Sequence, residues 1–551
     1  MHFYDRLDRF SENIALIDAE TGVRVTYNEL ESLVRDRVRQ LDGPRKLIFI
    51  EVKNDIHSLV IYLACLRSGH VVHLIESRND PKTKPLIDIY KPNLIIGSDQ
   101  AFHQNSLVSH DLHPDLCLLL STSGSTGTPK FVKLSSKNVH SNAVSISEYL
   151  EIGETERAFS HLKSYYSYGL SVVNSHIASG AGLILTSRSI TEPEFLDQLK
   201  RFEATSLAGV PYTFETLRRL NFDLSQFVRL RTLTQAGGKL EPHLVLDYAK
   251  RSKELGKRFV VMYGQTEAAP RMAYLPSQYL ESNPESIGLA IPGGELYIVD
   301  ANHQPVVEAG VQGELAYKGP NVMMGYALTG TDLGSDNTPT QLLTGDIAYK
   351  NIDGLFFIVG RSSRFVKIFG LRFNLDQIQS DLKSEFGELA VAGTDERIKI
   401  AVRQKTKAEC LDFTRVVARK YNLPESCFAV TSYREIPVLS NGKYDYKAVL
   451  SGIDGVKATN WIYKIGAFVA EVLEINDKDW ASISDVYKKI LNLNEVELGA
   501  SFDSLGADSL SYVCLAIELE EVLGASLPGE WRSMSIRSLE ELYVQKNAAS
   551  A

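Results

Sequence analysis

The 551-residue sequence has few cysteines and no long apolar segment. Its five cysteines lie far apart, without a C-x-x-C pair or a metal-ligand spacing. We expect reduced thiols, with Cys65, Cys117 and Cys514 packed as small apolar residues because their sequence neighbours are apolar. No run approaches the roughly 20 apolar residues that a membrane-spanning helix needs, and the first residues lack an apolar signal segment. These absences predict a cytoplasmic protein without a membrane span.

Positive charge is also scarce. The chain has 59 Lys and Arg against 68 Asp and Glu, a formal net charge of −9 at pH 7. No basic run or basic, aromatic-rich patch occurs, so nucleic-acid binding is disfavoured. Hydrophobic residues make up 44% and charged residues 23%, as in ordinary globular proteins. A chain of this length is expected to form several domains, because single cores rarely exceed about 250–300 residues.

Residues 1–360 alternate apolar, strand-like segments with amphipathic, helix-like segments. This alternation predicts a large α/β domain with substantially parallel sheets. The strand candidates are residues 46–52, 94–96, 183–186 and 259–262, and the helix candidates are residues 57–67 and 193–202.

Three smaller segments follow this domain. They are predicted to form an α+β subdomain, a linker with an extra helix of unassigned role near residues 461–474, and an all-α helical bundle. Their predicted boundaries are residues 361–450, 451–483 and 484–551. Within the first of them the strand candidates are residues 365–368 and 398–402, and the helix candidate is residues 375–386.

The most informative motif is Ser-Thr-Ser-Gly-Ser-Thr-Gly-Thr-Pro-Lys at residues 121–130. It follows the apolar segment 116–120 and precedes a polar, helix-like segment. Glycines let backbone N–H groups turn toward an anion, hydroxyl side chains add donors, and Lys130 can neutralise a polyphosphate. The common phosphate-loop pattern G-x-x-x-x-G-K-[ST] is absent, so the motif alone is also compatible with a linker.

Four further motifs accompany it. In chain order they are Tyr263-Gly264-Gln265-Thr266-Glu267, Thr344-Gly345-Asp346, Gly360-Arg361 and Asn441-Gly442-Lys443. Together the five motifs resemble the adenylate-forming superfamily of acyl-CoA synthetases, luciferases and peptide-synthetase adenylation domains. The resemblance implies an ATP-dependent, AMP-forming carboxylic acid ligase with a core at residues 1–360 and a mobile subdomain at residues 361–450.

The resemblance also implies a binding site for ATP. The loop before Lys130 corresponds to the part that holds the β- and γ-phosphates, and the glycine turn at 237–239 and Tyr263 correspond to the adenine site. Asp346 is expected to accept hydrogen bonds from the ribose hydroxyls, and Arg361 to reach the ribose or a phosphate. The nucleotide-binding candidates are Thr122, Ser123, Gly124, Ser125, Thr126, Gly127, Lys130, Gly237, Gly238, Lys239, Tyr263, Gly264, Asp346 and Arg361.

Three residues are the catalytic candidates that the resemblance implies. Thr266 is expected to hold the α-phosphate, and Glu267 to bind Mg²⁺, which prefers hard oxygen ligands. Lys443 is expected to bridge the substrate carboxylate and the α-phosphate during adenylation. In the second half-reaction the subdomain is expected to rotate, so that Lys443 leaves and Gly370 lines the path of a pantetheine arm.

The acyl pocket is expected around Tyr166, Ser167, Tyr168 and Gln235, with His176, Val210, Pro211 and Tyr212 as further wall candidates. Amino-acid adenylation domains carry an aspartate that pairs with the substrate ammonium, and Ser167 stands at that place here. An unpaired buried ammonium costs several kcal/mol. The sequence therefore favours an organic or fatty acid without an α-amino group, and an amino acid remains the alternative.

A last motif lies near the end of the chain, Phe-Asp-Ser-Leu-Gly-Ala-Asp-Ser-Leu at residues 502–510. It resembles the attachment site for 4′-phosphopantetheine in acyl and peptidyl carrier proteins, which places the arm on Ser509. Asp508 or Ser509 could instead cap a helix. The carrier interpretation implies two partners, a phosphopantetheinyl transferase and a downstream condensing or tailoring enzyme.

The sequence therefore predicts an enzyme that adenylates a small carboxylic acid and loads its own carrier domain. Three alternatives remain open: an amino-acid adenylation and thiolation didomain of a nonribosomal peptide pathway, a free acyl-CoA synthetase with an appended helical unit, and a binding protein with an inactive nucleotide site.

Overall fold

The computed structural model describes residues 1–122, 130–368, 371–394, 397–421, 425–438, 444–452, 482–491, 495–505 and 533–541, with the single positions 423, 493, 515, 519, 522 and 531. The chain divides into two compact units, Met1–Ser451 and Gly452–Ala551. Within these described ranges no helix combines the length and the apolarity needed to cross a bilayer.

The first unit consists of five sheets and eleven labelled helices among its described residues. In chain order the strands are β1 (Ile14–Asp18), β2 (Arg24–Thr26), β3 (Leu47–Glu51), β4 (Val71–Ile75), β5 (Leu94–Ile96), β6 (Phe102–Gln104), β7 (Leu116–Thr122), β8 (Lys130–Ser135), β9 (Arg157–Ser160), β10 (Gly182–Leu185), β11 (Ser206–Gly209), β12 (Thr232–Gln235), β13 (Arg258–Gly264), β14 (Arg271–Leu275), β15 (Leu289–Ala290), β16 (Glu295–Val299), β17 (Pro305–Val306), β18 (Gly313–Lys318), β19 (Tyr326–Ala327), β20 (Leu342–Lys350), β21 (Phe356–Arg361), β22 (Phe365–Ile368), β23 (Leu371–Asn374), β24 (Leu389–Gly393), β25 (Ile398–Arg403) and β26 (Phe428–Tyr433). The helices are α1 (Tyr27–Gln40), α2 (Ile56–Arg67), α3 (Lys84–Tyr90), α4 (Ser136–Leu150), α5 (Ser167–Ala178), α6 (Pro193–Arg201), α7 (Pro211–Arg219), α8 (Pro242–Glu254), α9 (Leu375–Phe386), α10 (Lys407–Tyr421) and α11 (Tyr446–Ser451).

Two large mixed sheets form the body of this unit. One has the order β19-β8-β7-β4-β3-β5-β6, and the other has the order β15-β14-β13-β12-β11-β9-β10-β1-β2. Parallel strands occupy the middle of each sheet, and antiparallel strands occupy the edges. Helix α2 contacts strands of both sheets and is buried along nearly its whole length, as its uniformly apolar sequence requires.

The third sheet, β17-β16-β18-β20-β21, is antiparallel throughout. The prediction of an α/β domain is confirmed, whereas the expected predominance of parallel strands is wrong for this region. Parallel neighbours need long crossover connections, and the short connections from β16 to β17 and from β20 to β21 allow antiparallel pairing there instead.

The predicted elements in the large domain lie close to the observed ones. Strand β5 and the predicted segment 94–96 coincide, and the other strand and helix candidates agree within two residues at each end. The segment after Lys130 was expected to be helical, and this expectation is wrong at its start. Strand β8 begins at Lys130, pairs with β7 and precedes α4, because the apolar side chains of Phe131, Val132 and Leu134 are buried in the sheet.

The remainder of the first unit is built on a small core of its own. It contains the hairpin β22–β23 and the sheet β24-β25-β26, with α9 and α10 packed against the sheet. Helix α9 coincides with the predicted segment 375–386, and Asn374 caps it. The Lys383 ammonium lies 2.9 Å from Glu241 of the large domain, and the Asn374 amide donates to the Val359 carbonyl at 3.0 Å.

In the second unit a helix covers Ile483–Ile490, with Ser482 as its cap. The described apolar side chains include Val486, Tyr487, Phe502 and Trp531, which belong to one buried cluster. The expected linker, the extra helix near residues 461–474 and Ser509 lie outside the described residues. An all-α carrier domain is not supported by the described part of this unit and stays a prediction.

Candidate active site

The Asp346 carboxylate is the centre of a cluster made by Tyr263, Gln265, Asp346 and Arg361, here called the Asp346 cluster. Asp346 is 3% exposed, and its Oδ1 lies 2.9 Å from Arg361 Nε, which is its register partner across β20 and β21. Its Oδ2 accepts hydrogen bonds from the Tyr263 hydroxyl and, at 3.2 Å, from Gln265 Nε2. The buried carboxylate therefore has its counter-charge inside the protein.

The backbone before Asp346 holds this carboxylate in place. Gly345 has a φ of +72°, a conformation that favours glycine. The Thr344 hydroxyl donates to the Leu315 carbonyl at 2.8 Å and accepts from the Asp346 N–H at 3.1 Å. The Thr-Gly-Asp motif is therefore an irregular part of strand β20, where the register with β18 shifts, and it presents a fixed carboxylate.

Burial and the Asp346 charge keep two donors of the Asp346 cluster, Tyr263 and Arg361, protonated. The Asp346 charge raises the pKa of the Arg361 guanidinium. Burial, followed by the Asp346 charge, raises the pKa of Tyr263 well above its usual value. Both side chains therefore donate hydrogen bonds to the carboxylate at neutral pH. A carboxylate has about four acceptor positions, so a ligand that donates two further hydrogen bonds must displace at least one of the present three donors.

A second cluster consists of Lys130, Glu267 and Tyr326, here called the Glu267 cluster. Glu267 Oε1 accepts a hydrogen bond from the Tyr326 hydroxyl at 2.8 Å, and the Lys130 ammonium lies 3.4 Å from the centre of the Tyr326 ring. Tyr326 reaches this place because β19 pairs with β8, the strand that begins at Lys130. Burial, and then the Glu267 charge, raise the pKa of Tyr326, so its hydroxyl stays a donor.

The third feature is a contact between Ser167 and Thr266, which belong to motifs that are distant in the sequence. Ser167 is the first residue of α5, and Thr266 lies in the short helix Thr266–Ala268 after β13. Their hydroxyl oxygens are 3.3 Å apart. The expected α-phosphate residue therefore lies beside the expected acyl pocket, where a carboxylate and an α-phosphate must meet for adenylation.

Comparisons with known proteins find similar sequences and a similar fold. A family model described as "AMP-binding enzyme" matches residues 80–327. Gramicidin S synthase 2 of Brevibacillus brevis is 25% identical over 96% of this chain and 12% of its own length. The medium-chain acyl-CoA ligase ACSF2 of Mus musculus is 32% identical over 44% of this chain and 41% of its own length. The chain thus spans less than half of each of these relatives.

A solved structure shares the fold. It is described as "Structure of McyG A-PCP complexed with phenylalanyl-adenylate", with a TM-score of 0.66 and 17% identity, and the match covers 98% of each chain. Together these findings show that residues 80–327 are similar to AMP-binding enzymes and that the chain shares the fold of this solved structure. Enzymes of the AMP-binding family, including acyl-CoA synthetases and adenylation domains, are AMP-forming ligases.

The structure brings several of the candidate residues together. Tyr263, Asp346 and Arg361 share one cluster, and Lys130 and Glu267 share another. Gly264 has no room for a side chain, because a Cβ there would lie 1.8 Å from the Pro270 carbonyl oxygen. Thr122 ends β7, opposite Lys130. Ser123, Gly124, Ser125, Thr126, Gly127, Gly370, Lys443 and Ser509 lie outside the described residues.

The glycine turn after β12, at residues 237–239, makes contacts that the sequence analysis did not predict. The Gln235 amide, expected in the acyl pocket, donates to the Gly238 carbonyl at 2.8 Å and so supports the turn. Gly237 has a φ of +87°. The Lys239 ammonium lies 3.6 Å from Glu285, and both side chains are largely exposed. Among the three glycine-turn candidates, Lys239 is thus engaged in a surface ion pair.

A cavity lies behind α5, and its lining differs in part from the expected acyl wall. Tyr168 and His176 line it, whereas Tyr166, Ser167, Gln235, Val210, Pro211 and Tyr212 are not among its lining residues. The Tyr168 hydroxyl donates to the Thr234 carbonyl at 3.1 Å. His176 Nδ1 lies 2.8 Å from the Val172 carbonyl oxygen, and burial lowers the pKa of His176 to about 4. His176 is therefore neutral at pH 7.

Sequence reasoning gave no role to Gln265 of the Asp346 cluster, and it missed Tyr326 of the Glu267 cluster and Arg271 of the cavity. Tyr326 follows Gly325, whose φ of +88° marks a tight turn, and this Gly-Tyr pair is the signal that could have indicated it. Arg271 lines the cavity, with its guanidinium 4.1 Å from the centre of the Tyr168 ring. No local sequence signal indicates Arg271, because its surroundings come from distant strands.

Proposed function

We propose that this chain activates a carboxylic acid with ATP as an acyl-adenylate and transfers the acyl group to a phosphopantetheine thiol on Ser509. The observation that carries the proposal is the 3.3 Å approach of the Ser167 and Thr266 hydroxyls, with Glu267 beside Thr266 in the sequence. This approach supports a site in which the acid and the α-phosphate lie next to each other.

In the proposed adenylation step a substrate carboxylate oxygen attacks the α-phosphorus of ATP. A new phosphorus–oxygen bond forms, the bond to the β-phosphate bridge breaks, and pyrophosphate leaves. Thr266 would donate its hydroxyl to an α-phosphate oxygen, and Lys443 would stabilise the developing charge between the two reactants. Lys130 would neutralise the β- and γ-phosphates.

The donors near Thr266 fit a magnesium ion. Glu267 offers a carboxylate oxygen whose partner oxygen is held by Tyr326, and hard oxygen donors suit Mg²⁺. One or two carboxylates are sufficient protein ligands when substrate phosphates complete the coordination. When bound, Mg²⁺ offsets the negative charge of the phosphates. The Tyr326 hydrogen bond would fix the orientation of Glu267 toward such an ion.

The Asp346 cluster would hold the ribose. Its carboxylate is fixed by the Thr344–Gly345 segment of β20 and is already hydrogen-bonded by Tyr263, Gln265 and Arg361. Ribose hydroxyls would take the place of one of these donors. Arg361 is the best candidate to move, because 58% of its side chain is exposed.

Transfer to a carrier in the same chain is the second part of the proposal. It is supported by the Phe-Asp-Ser-Leu-Gly-Ala-Asp-Ser-Leu segment and by two relatives whose alignments extend over nearly the whole chain. The arm would supply a thiol that accepts the acyl group as AMP leaves. A tethered thiol reacts at an effective concentration on the order of millimolar. The same reasoning implies a phosphopantetheinyl transferase and a downstream condensing or tailoring enzyme as partners.

Acid-dependent exchange of pyrophosphate into ATP tests the adenylation step. The full chain should catalyse exchange with at least one acid of a broad panel, and Lys443→Ala should abolish it while leaving transfer from a preformed acyl-adenylate largely intact. Equal loss of both half-reactions would contradict a rotating subdomain. Gly370→Trp should have the reverse effect, because it obstructs the proposed arm path and spares exchange.

Intact mass spectrometry tests the carrier step. Treatment with a phosphopantetheinyl transferase and coenzyme A should add one arm to the chain. Ser509→Ala should prevent the addition, whereas the nearby Ser504→Ala should not. A chain that gains no arm but exchanges pyrophosphate would favour the free acyl-CoA synthetase alternative.

A further inference from the structure

The Arg271 guanidinium is buried without an acidic partner. Arg271 is 3% exposed, and its Nε has no hydrogen-bond acceptor. Within the described part of the chain no carboxylate lies within ion-pair distance of it. Strand β14 fixes its backbone, since the Asn142 side chain bonds both the N–H and the carbonyl of Arg271. The side chain therefore extends from a rigid position into the cavity behind α5.

The neighbouring groups do not neutralise this charge. Glu156 also lines the cavity, but its Oε1 is paired with Arg231 Nη2 at 2.8 Å and its Oε2 accepts the Thr205 hydroxyl. Burial raises the pKa of both Tyr149 and Tyr168, so these phenols stay neutral. The cavity thus contains one cation whose charge has no counterpart among the described residues.

The cost of such an arrangement points to a ligand. An uncompensated buried charge is strongly unfavourable, and stacking on the Tyr168 ring offsets only part of the cost. Guanidinium groups match carboxylates geometrically, with two parallel hydrogen bonds. The cavity that Arg271 lines has about 30 Å³ of room for water-sized groups, so a small polar group fits in it.

We propose that the acid activated by this chain carries a second anionic group, which pairs with Arg271 while the first carboxylate reacts near Thr266. This inference rests on the adenylation proposed above and assigns its substrate class. The two places lie near the same turn of α5, because Tyr168 follows Ser167 and its ring centre is 4.1 Å from the Arg271 guanidinium. The same positive charge repels a substrate ammonium, so an amino group near Arg271 is disfavoured.

Pyrophosphate exchange with matched acids tests the inference in the wild-type protein. Each pair consists of a short monocarboxylate and the dicarboxylate or sulfonate of the same length. We expect kcat/KM to be about ten- to hundredfold higher for the acid with the second anion, as expected for a buried charged hydrogen bond. Equal or better use of the monocarboxylates would overturn the inference and leave the proposed adenylation intact.

Three variants sharpen this test. Arg271→Met should remove the preference for the second anion by about ten- to hundredfold while sparing the monocarboxylate. Arg271→Lys should retain part of it, because the charge remains without the planar donor pair. Lys253→Met, which removes an exposed cation paired with Glu281, should change neither rate. If Arg271→Met fails to fold, the wild-type comparison and Arg271→Lys still decide the question.

Binding without turnover separates this inference from the proposed function. Short dicarboxylates should raise the melting temperature of the wild type and not that of Arg271→Met. If no acid supports exchange but this difference is observed, adenylation is wrong and the anion site stands. If exchange occurs and dicarboxylates stabilise both proteins equally, the anion site is wrong and adenylation stands.

Discussion

The Asp346 cluster and the cavity around Arg271 each contain one buried charged group in the same unit, and they differ in how that charge is compensated. Asp346 is paired with Arg361 and accepts from Tyr263 and Gln265. Arg271 has an aromatic ring beside it, and among the described residues no carboxylate lies within ion-pair distance of it. The Asp346 charge is compensated by groups of the protein alone, and under the proposal above the Arg271 charge is compensated only by a ligand. The comparison suggests that a preorganised carboxylate binds the nucleotide. It also suggests that the substrate acid supplies the negative charge that the cavity around Arg271 lacks.

The largest expected effect comes from changing Asp346→Asn. It removes the charge that compensates Arg361 and weakens the acceptor proposed for the ribose. Hydrogen bonds to charged groups contribute about 1.5–3 kcal/mol, so we expect the KM for ATP to rise about a hundredfold. At saturating ATP the KM for the acid should stay unchanged. Exchange kinetics with each substrate varied in turn measure both values, and Asp353→Asn, an exposed carboxylate, is the control. Equal changes in both KM values would mean that the two regions are not separate.

A smaller effect is expected from Ser167→Asp. The added carboxylate lies beside Thr266 and the proposed reaction centre, where it is poorly solvated and repels an anionic acid. A penalty of about 1–3 kcal/mol corresponds to about a ten- to hundredfold loss in kcat/KM for the native acid. Exchange kinetics for the best acid and its 2-amino analogue, in both proteins, measure the change. If the wild type already prefers the amino analogue, the favoured substrate class is wrong. Ser282→Asp, at an exposed position, is the control.

Tyr326→Phe should have a moderate effect on the proposed binding of Mg²⁺. It removes the hydrogen bond to Glu267 and keeps the ring that faces Lys130. Loss of one hydrogen bond of about 1 kcal/mol predicts a three- to tenfold rise in the Mg²⁺ concentration for half-maximal exchange. Tyr297→Phe, which removes a hydroxyl that donates to Gln341, should leave this concentration unchanged. An unchanged value for Tyr326→Phe would show that Glu267 does not depend on this bond.

The smallest effect is expected from Lys383→Met. Its ammonium pairs with Glu241 of the large domain at 2.9 Å, whereas Lys420 pairs with Glu385 within residues 361–450 at the same distance. Both pairs are partly exposed, so each contributes no more than about 1 kcal/mol to the free energy of unfolding. Urea unfolding should show small losses for Lys383→Met and Lys420→Met alike. Only Lys383→Met should alter the ratio of exchange to acyl transfer, by up to about fivefold.

Much of the first unit was predictable from local pattern. Helix α9 and strand β5 coincide with their predicted segments, because apolar spacing and capping act over a few neighbouring residues. The strand that begins at Lys130 was not predicted, because its apolar residues Phe131, Val132 and Leu134 form only a short segment between polar residues. The antiparallel sheet was not predicted either, because strand direction depends on which strands become neighbours in the folded chain.

The sequence by itself determined the candidates for nucleotide chemistry, since Tyr263, Thr266, Glu267 and Asp346 belong to short contiguous motifs whose residue types state their chemistry. Only the tertiary structure decided what surrounds Arg271. In the sequence it is one arginine among many, and its charge becomes informative only when β14 pairs with β13 and α5 places Tyr168 beneath it. Burial without a partner is a property of long-range packing, because each neighbouring element must fail to supply an acid.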